Sequence, residues 1–241
     1  MIASGLLAFF PLAPVLASKA SPAAPEGKSP AIVIGFLGGF VGRNSPVHAE
    51  VQLAVRLRKS YPAGVDVETF ESRHVPEAHR QILDILGGKK NGTPTAEEKH
   101  DARIVIYGHS WGAASGIELA RTLQKDGIPV LLTIQVDSIG KVGRNDTQIP
   151  ANVERAVNFY QSHGLLRGAH DIYAADPAQT KIIGNYQYDY SKSQLSCDGY
   201  PWWDRYIVKA HTQIECDPVV WNKVDALIRQ TLPPSQQGVE K

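Results

Sequence analysis

The pentapeptide Gly108-His109-Ser110-Trp111-Gly112 has the form G-x-S-x-G, between an apolar run, residues 103–107 (RIVIY), and the small residues Ala113 and Ala114 that open a helical pattern. A strand feeding a helix through so tight a turn holds its central residue in a strained backbone conformation, and only small neighbours let the helix approach. Gly108, Gly112 and Ala113 meet that steric demand. A serine there projects its hydroxyl at the carboxyl edge of a sheet, and the Trp111 amide at the helix start points toward a developing oxyanion. The plainer alternative is a glycine-rich strand-to-helix turn that happens to contain serine. A phosphate-binding loop fits less well, because neither G-x-x-x-x-G-K-[ST] at this turn nor a full G-x-G-x-x-G after the first strand is present.

A serine hydroxyl is a weak nucleophile at neutral pH and needs a base. Of the eight histidines, His211 is the strongest candidate, since it lies in an irregular segment just before the last helix, where a loop can deliver its imidazole over Ser110. His170 is the runner-up. His48, His74 and His79 fall in or beside helical patterns and read as surface residues, and His109 points away from the serine side chain. The base in turn needs a buried carboxylate to fix its tautomer and stabilise the imidazolium. Asp137 ends the apolar run 130–136 (VLLTIQV) and so stands at the same sheet edge. The order Ser110, Asp137, His211 is that of nucleophile, acid and base. Asp189 is the main rival acid, with Asp171 and Asp176 behind it.

A second oxyanion donor is expected from Gly35-Phe36-Leu37-Gly38-Gly39-Phe40, where glycines admit a substrate oxygen close to the backbone and Phe36 or Leu37 supplies the amide. Gly38, Phe40, Trp202 and Trp203 are the candidate substrate contacts, with Phe36, Leu37 and Trp111 available to an apolar acyl site. Arg43 and Asn44 could meet a polar head group.

Positioning these groups requires an alternation of short strands and helices. Strands are predicted at 31–36, 65–70, 103–107, 130–136 and 179–184, and helices at 47–60, 76–86, 112–125, 151–162 and 218–231. Continuous apolar runs such as Ile104-Val105-Ile106 suit strands buried on both faces. The expected fold is therefore α/β, a three-layer α/β/α sandwich with a mostly parallel central sheet. Asp217 followed by Pro218 marks the start of the last helix. Residues 87–100 and 233–241 read as a surface loop and a polar tail. The stretch 185–216 is rich in Tyr and Trp with little periodicity and reads as a long structured loop.

The chain has 241 residues, 43% of them hydrophobic, and a net charge of +1. That is enough for a sizeable core, and the balanced charge argues against a nucleic-acid partner. Residues 1–17 have the apolar core and small-residue spacing of an export signal, with a membrane anchor as the competing reading. Residues 18–30 form a Pro/Ala/Ser-rich linker ahead of a folded domain spanning 31–232. The only two cysteines are Cys197 and Cys216; downstream of an export signal they permit one disulfide, and without export they would be two buried thiols. Their spacing is not that of a zinc site, and no metal site is expected. The expected location is secreted or periplasmic, or membrane-anchored through the N-terminal segment.

Taken together, Gly35–Gly39, Gly108–Gly112, Asp137 and His211 resemble the oxyanion loop, nucleophile elbow and remaining triad members of the α/β-hydrolase superfamily. The resemblance covers roughly 31–231 and is to its compact members, the small lipases, cutinases and thioesterases. It implies a Ser-His-Asp mechanism through an acyl-enzyme, acting on a small-molecule or lipid ester, possible thioester substrates included, without metal or organic cofactor. The sequence departs from the superfamily in two places. Ile34-Gly35 stands where His-Gly is usual, and the acid follows a strand one earlier than in many members. The same scaffold also serves acyltransferases and noncatalytic ligand-binding proteins.

Overall fold

The computed structural model describes residues 30–61, 63–88 and 93–234. The expected export segment, nearly all of the linker and most of the tail lie outside these residues. In chain order the elements are β1 (Ala31–Leu37), α1 (Ala49–Ser60), β2 (Val65–Glu71), α2 (Val75–Gly87), α3 (Ala96–His100), β3 (Arg103–His109), α4 (Trp111–Lys125) and β4 (Val130–Val136). They continue with β5 (Gln148–Ile149), β6 (Val153–Gln161), β7 (Tyr173–Ala174), β8 (Lys181–Tyr188), α5 (Trp202–Tyr206), α6 (Lys209–Cys216) and α7 (Pro218–Thr231).

Six strands form one sheet in the order β2-β1-β3-β4-β6-β8, and every pairing in it is parallel. Parallel neighbours need crossover connections, which is why helices cover both faces. Alternation along the strands divides the core in two. Val33, Val105, Leu132 and Phe159 pack beneath α1 and α7 with Leu53, Leu57, Trp221 and Ile228. Ile32, Ile34, Ile104 and Ile106 face the other way, onto Ile82, Ile117 and Leu123 of α2 and α4. This is the three-layer sandwich that the alternation predicts, with β3 at its centre and the elbow turn at its carboxyl edge.

Two expected elements are corrected. Residues 151–162 do not form a helix; β6 occupies Val153–Gln161, paired with β4 and β8. Val153, Ala156, Val157 and Tyr160 fall at helical spacing in the sequence, while in the strand the polar Asn158 and Gln161 also take buried positions. The Asn158 side chain donates to the carbonyls of Ala169 and His170, and that of Gln161 to Leu166 O and Asp137. The second correction concerns 185–216, which is not irregular throughout: β8 runs to Tyr188, and α5 and α6 follow. Helix α6 buries Ala210, His211, Thr212, Gln213, Ile214 and Glu215, so polar and apolar residues alike are inside and no amphipathic period marks it. Cys197 and Cys216 are joined by a disulfide that ties the end of α6 to the loop before α5.

Candidate active site

Ser110 joins β3 to α4 with φ 54° and ψ −127°. Two close approaches explain why the turn needs glycine. A Cβ on Gly108 would lie 2.6 Å from the carbonyl carbon of Gly112, and one on Gly112 would lie 2.5 Å from Leu37 O. The Ser110 amide is anchored on Val136 O at 3.0 Å, and its carbonyl receives the Ala113 and Ala114 amides. The Trp111 amide, in the first turn of α4, has no intrahelical acceptor. Among the described residues the non-glycine positions with positive φ are Phe40, Ser110 and Asp137, all at this edge of the sheet. Backbone strain gathered this way is a feature of functional sites.

Asp137 follows β4 and is fully buried. Its Oδ2 lies 2.6 Å from His211 Nδ1 and receives the Gln161 side-chain amide at 2.8 Å. Its Oδ1 receives the backbone amides of Gly168 at 2.9 Å and Gln161 at 3.2 Å. These four donors fix the carboxylate in place, and its contact with Nδ1 orients the imidazole so that the other ring nitrogen faces away from Asp137. Gln161 and Gly168 carried no sequence signal, because one lies in the strand read as helix and the other in an irregular turn.

Ser110 and His211 line one cavity of about 380 Å³, walled by Gly38, Phe40, Trp111, Leu166, Trp203 and Ile207 among others. No hydrogen bond joins Ser110 to His211 in this structure, and catalytic contacts of this kind commonly tighten only when substrate is bound. Phe40 packs against Trp111 with ring centroids 5.4 Å apart. Phe36 and Leu37 are fully buried in β1 rather than lining the cavity, whereas Gly38 and Phe40 line it. The Gly38 amide is held by Glu50 Oε1 at 3.2 Å. Trp202 stands outside the cavity lining, edge-on to Trp203. Arg43 is turned away, donating to Thr69 O and lying over the Phe70 ring.

The rivals fall elsewhere. Asp189 is exposed at the surface, 3.6 Å from His163 and bonded to the Ser191 amide. His170 is exposed and stacks on Tyr160, Asp171 is exposed, and Asp176 accepts from the Ala178 amide.

His48 is corrected from surface to interior: it precedes α1, is buried, and its Nδ1 lies 2.5 Å from Glu215 Oε1. His79 is half-buried against Asp126 and is likewise not a free surface group. Around His48 lies a cluster that sequence reading missed. Glu50 and Glu215 are both buried, and His109 packs against the His211 ring at a tilt of 33° with centroids 4.5 Å apart. Burial, reinforced by the Glu215 carboxylate, pushes the Glu50 carboxyl well above the usual range, and burial pushes Glu215 up to about 8. Burial and the neighbouring His211 and His48 hold His109 well below the usual imidazole range. Burial also raises Asp204, at the cavity wall, against the opposing effect of His48 and His211. His48 and Glu50, His109, and Glu215 lie on three segments far apart in the chain, and no local spacing links one segment to another.

A parallel sheet covered on both faces, with the strained Ser110 turn at its centre and Asp137 at the neighbouring strand end, has the layered α/β arrangement that the sequence resemblance implies. No protein-family model matches the chain, and no curated protein matches it. Among solved structures it is similar to a thermostable esterase from Pseudomonas putida, at 12% identity and a TM-score of 0.42, over 87% of this chain and 74% of that one. It is also similar to human thioesterase 2, at 11% identity and 0.42 over 83% and 94% of the two chains. A third is a thioesterase of the prodiginine pathway of Streptomyces coelicolor, at 13% identity and 0.37 over 83% and 96%. The Cys197–Cys216 bridge fits an oxidising, extracytoplasmic setting. Among the described residues no helix is long and apolar enough to cross a membrane.

Proposed function

We propose that the protein is a serine hydrolase of carboxylic esters, with thioesters and lipid esters as variants of the same acyl-transfer chemistry. The observation that carries this reading is that the strained Ser110 and the Asp137-bound His211 open onto one cavity. Asp137 orients His211 so that its Nε2 takes the Ser110 hydroxyl proton as Oγ attacks the acyl carbonyl. The tetrahedral intermediate places its negative oxygen against the Trp111 amide and a second amide of the loop after β1, whose residues Gly38, Gly39 and Phe40 line the cavity. His211 then returns the proton to the leaving group, and water activated by the same imidazole releases the acid. The apolar walls formed by Phe40, Trp111, Leu166 and Trp203 suit an acyl chain.

The bridge and the apolar residues 1–17 together support export as the setting for this activity. The test is hydrolysis of a p-nitrophenyl ester series of increasing chain length, with Ser110→Ala as control. Turnover that disappears in the variant supports the reading. Ligand binding without turnover, unchanged in Ser110→Ala, would make the protein a noncatalytic binder on the same scaffold.

A further inference from the structure

The interior beneath the loop after β1 contains more negative charge capacity than its surroundings answer. Glu50 is wholly buried and Glu215 is 5% exposed. Among the described residues, the ion-pair partners of both are imidazoles: His48 Nδ1 at 2.5 Å from Glu215 Oε1, and His109 Nδ1 at 3.4 Å from Glu215 Oε2 and 3.7 Å from Glu50 Oε1. Burying carboxylates away from water is expensive unless they are paired with positive charge or bind a metal. Hydrogen bonding leaves this cluster incomplete. Glu50 Oε1 receives the Gly38 amide, but Oε2 has no partner, and neither nitrogen of His109 has one although that side chain is 2% exposed.

The donor set has the chemistry of a cation site. One ligand atom from each of His48, Glu50 and Glu215 lies within 4.8 Å of the others, and all three residues are buried. Imidazole nitrogen with carboxylate oxygen is a usual donor set for Zn²⁺, at metal–ligand distances of about 2.0–2.2 Å. Ligand atoms around such an ion lie roughly 3.5 Å apart in tetrahedral geometry, so a small spreading of His48 from Glu215 and a closing of Glu50 would form the shell. His48, His109 and Glu215 also line the cavity, which gives an ion a way in.

We propose that His48 Nδ1 and the carboxylates of Glu50 and Glu215 form a binding site for a divalent transition cation of the Zn²⁺ type, with the Tyr200 hydroxyl, which donates to Glu215 Oε1 at 3.3 Å, and His109 Nδ1 beside it. On binding, His48 Nδ1 gives up the proton it shares with Glu215 to solvent. The ion ties α1 and the Gly38 loop to α6, one helical turn beyond His211. It is a structural clamp beside the serine, and it does not depend on the hydrolase reading.

The test is to strip the purified, disulfide-intact protein with chelator, incubate it with Zn²⁺, remove free metal by gel filtration and measure retained zinc by mass spectrometry alongside the thermal midpoint. The expected result is roughly one ion retained per chain and a midpoint that rises with Zn²⁺ and falls again with chelator. Glu50→Gln and His48→Gln should lose both effects while keeping the circular dichroism of the folded protein, and Ser110→Ala should keep both. Failure of the wild-type protein to retain zinc or shift its midpoint would overturn the site and leave Glu50 and Glu215 sharing a proton. Retention unchanged in Glu50→Gln and His48→Gln would overturn it equally, as binding elsewhere on the surface.

Discussion

Asp137 Oδ2 and His211 Nδ1 lie 2.6 Å apart although 74 residues separate them in the chain. Strand β4 delivers the carboxylate just past its carboxyl end and α6 delivers the imidazole from its first turn. In the hydrolase reading this contact selects the tautomer that leaves Nε2 available to Ser110.

Asp137→Asn is therefore expected to lower kcat on the order of 10⁴-fold with little change in KM, because an amide in this place favours the wrong imidazole tautomer. Steady-state kinetics on a p-nitrophenyl ester, with circular dichroism to verify folding, checks this. A loss confined to KM would assign Asp137 to substrate binding instead.

Gln161 supplies two of the four donors to Asp137. Replacing it with alanine removes the side-chain bond but spares the backbone one. About 1–3 kcal/mol of stability should be lost, because Asp137 Oδ2 keeps only His211 while the Leu166 carbonyl and His163 amide lose their Gln161 side-chain partner, read as a lower denaturant midpoint. Gln161→Glu should be worse than Gln161→Ala, since it sets a second carboxylate against Asp137.

The elbow predicts a steric effect with a defined site. Gly112→Ala would press a methyl group onto the carbonyls of Phe36 and Leu37, at 2.5 Å from the latter, and should cost about 1–3 kcal/mol while disturbing the oxyanion loop. Ala113→Ser, one residue on, tests whether mere bulk in the helix start has the same effect. Denaturant titration of both variants separates the two.

Cys197 and Cys216 close a loop with a sequence separation of 19 that contains α5 and nearly all of α6. Cys197→Ser is expected to lose about 3 kcal/mol, and His211, inside the loop, should lose its fixed position. Chemical denaturation with and without reductant measures this. Reductant should destabilise the wild-type protein and leave the variant unchanged.

Much of this arrangement was legible in the sequence, and what was hidden has a common cause. The runs at 31–36, 103–107 and 130–136 are strands flanked by breakers, and β3 and β4 place Ser110 and Asp137 at their ends without any long-range information. Helix α7 was marked by Asp217 and Pro218, and the Asp217 side chain does cap it by accepting the Val219 amide. The two segments that failed, β6 and α6, both bury polar side chains that break the expected pattern. Asn158 and Gln161 made β6 look helical, and α6, buried nearly all round, hid its own period. His48 read as a surface residue because nothing near it in the chain shows that Glu215, far along the sequence, will meet it. The interior cluster of His48, Glu50, His109 and Glu215 is a product of tertiary packing alone.

The most direct test of the central claim is labelling of the folded, oxidised protein with a fluorophosphonate, followed by peptide mapping. The account predicts rapid modification at Ser110, absent in Ser110→Ala and slowed at least about 10³-fold in His211→Ala, as expected when a nucleophile loses its base. Labelling at another residue, or none at Ser110 in a sample shown to be folded, would contradict it.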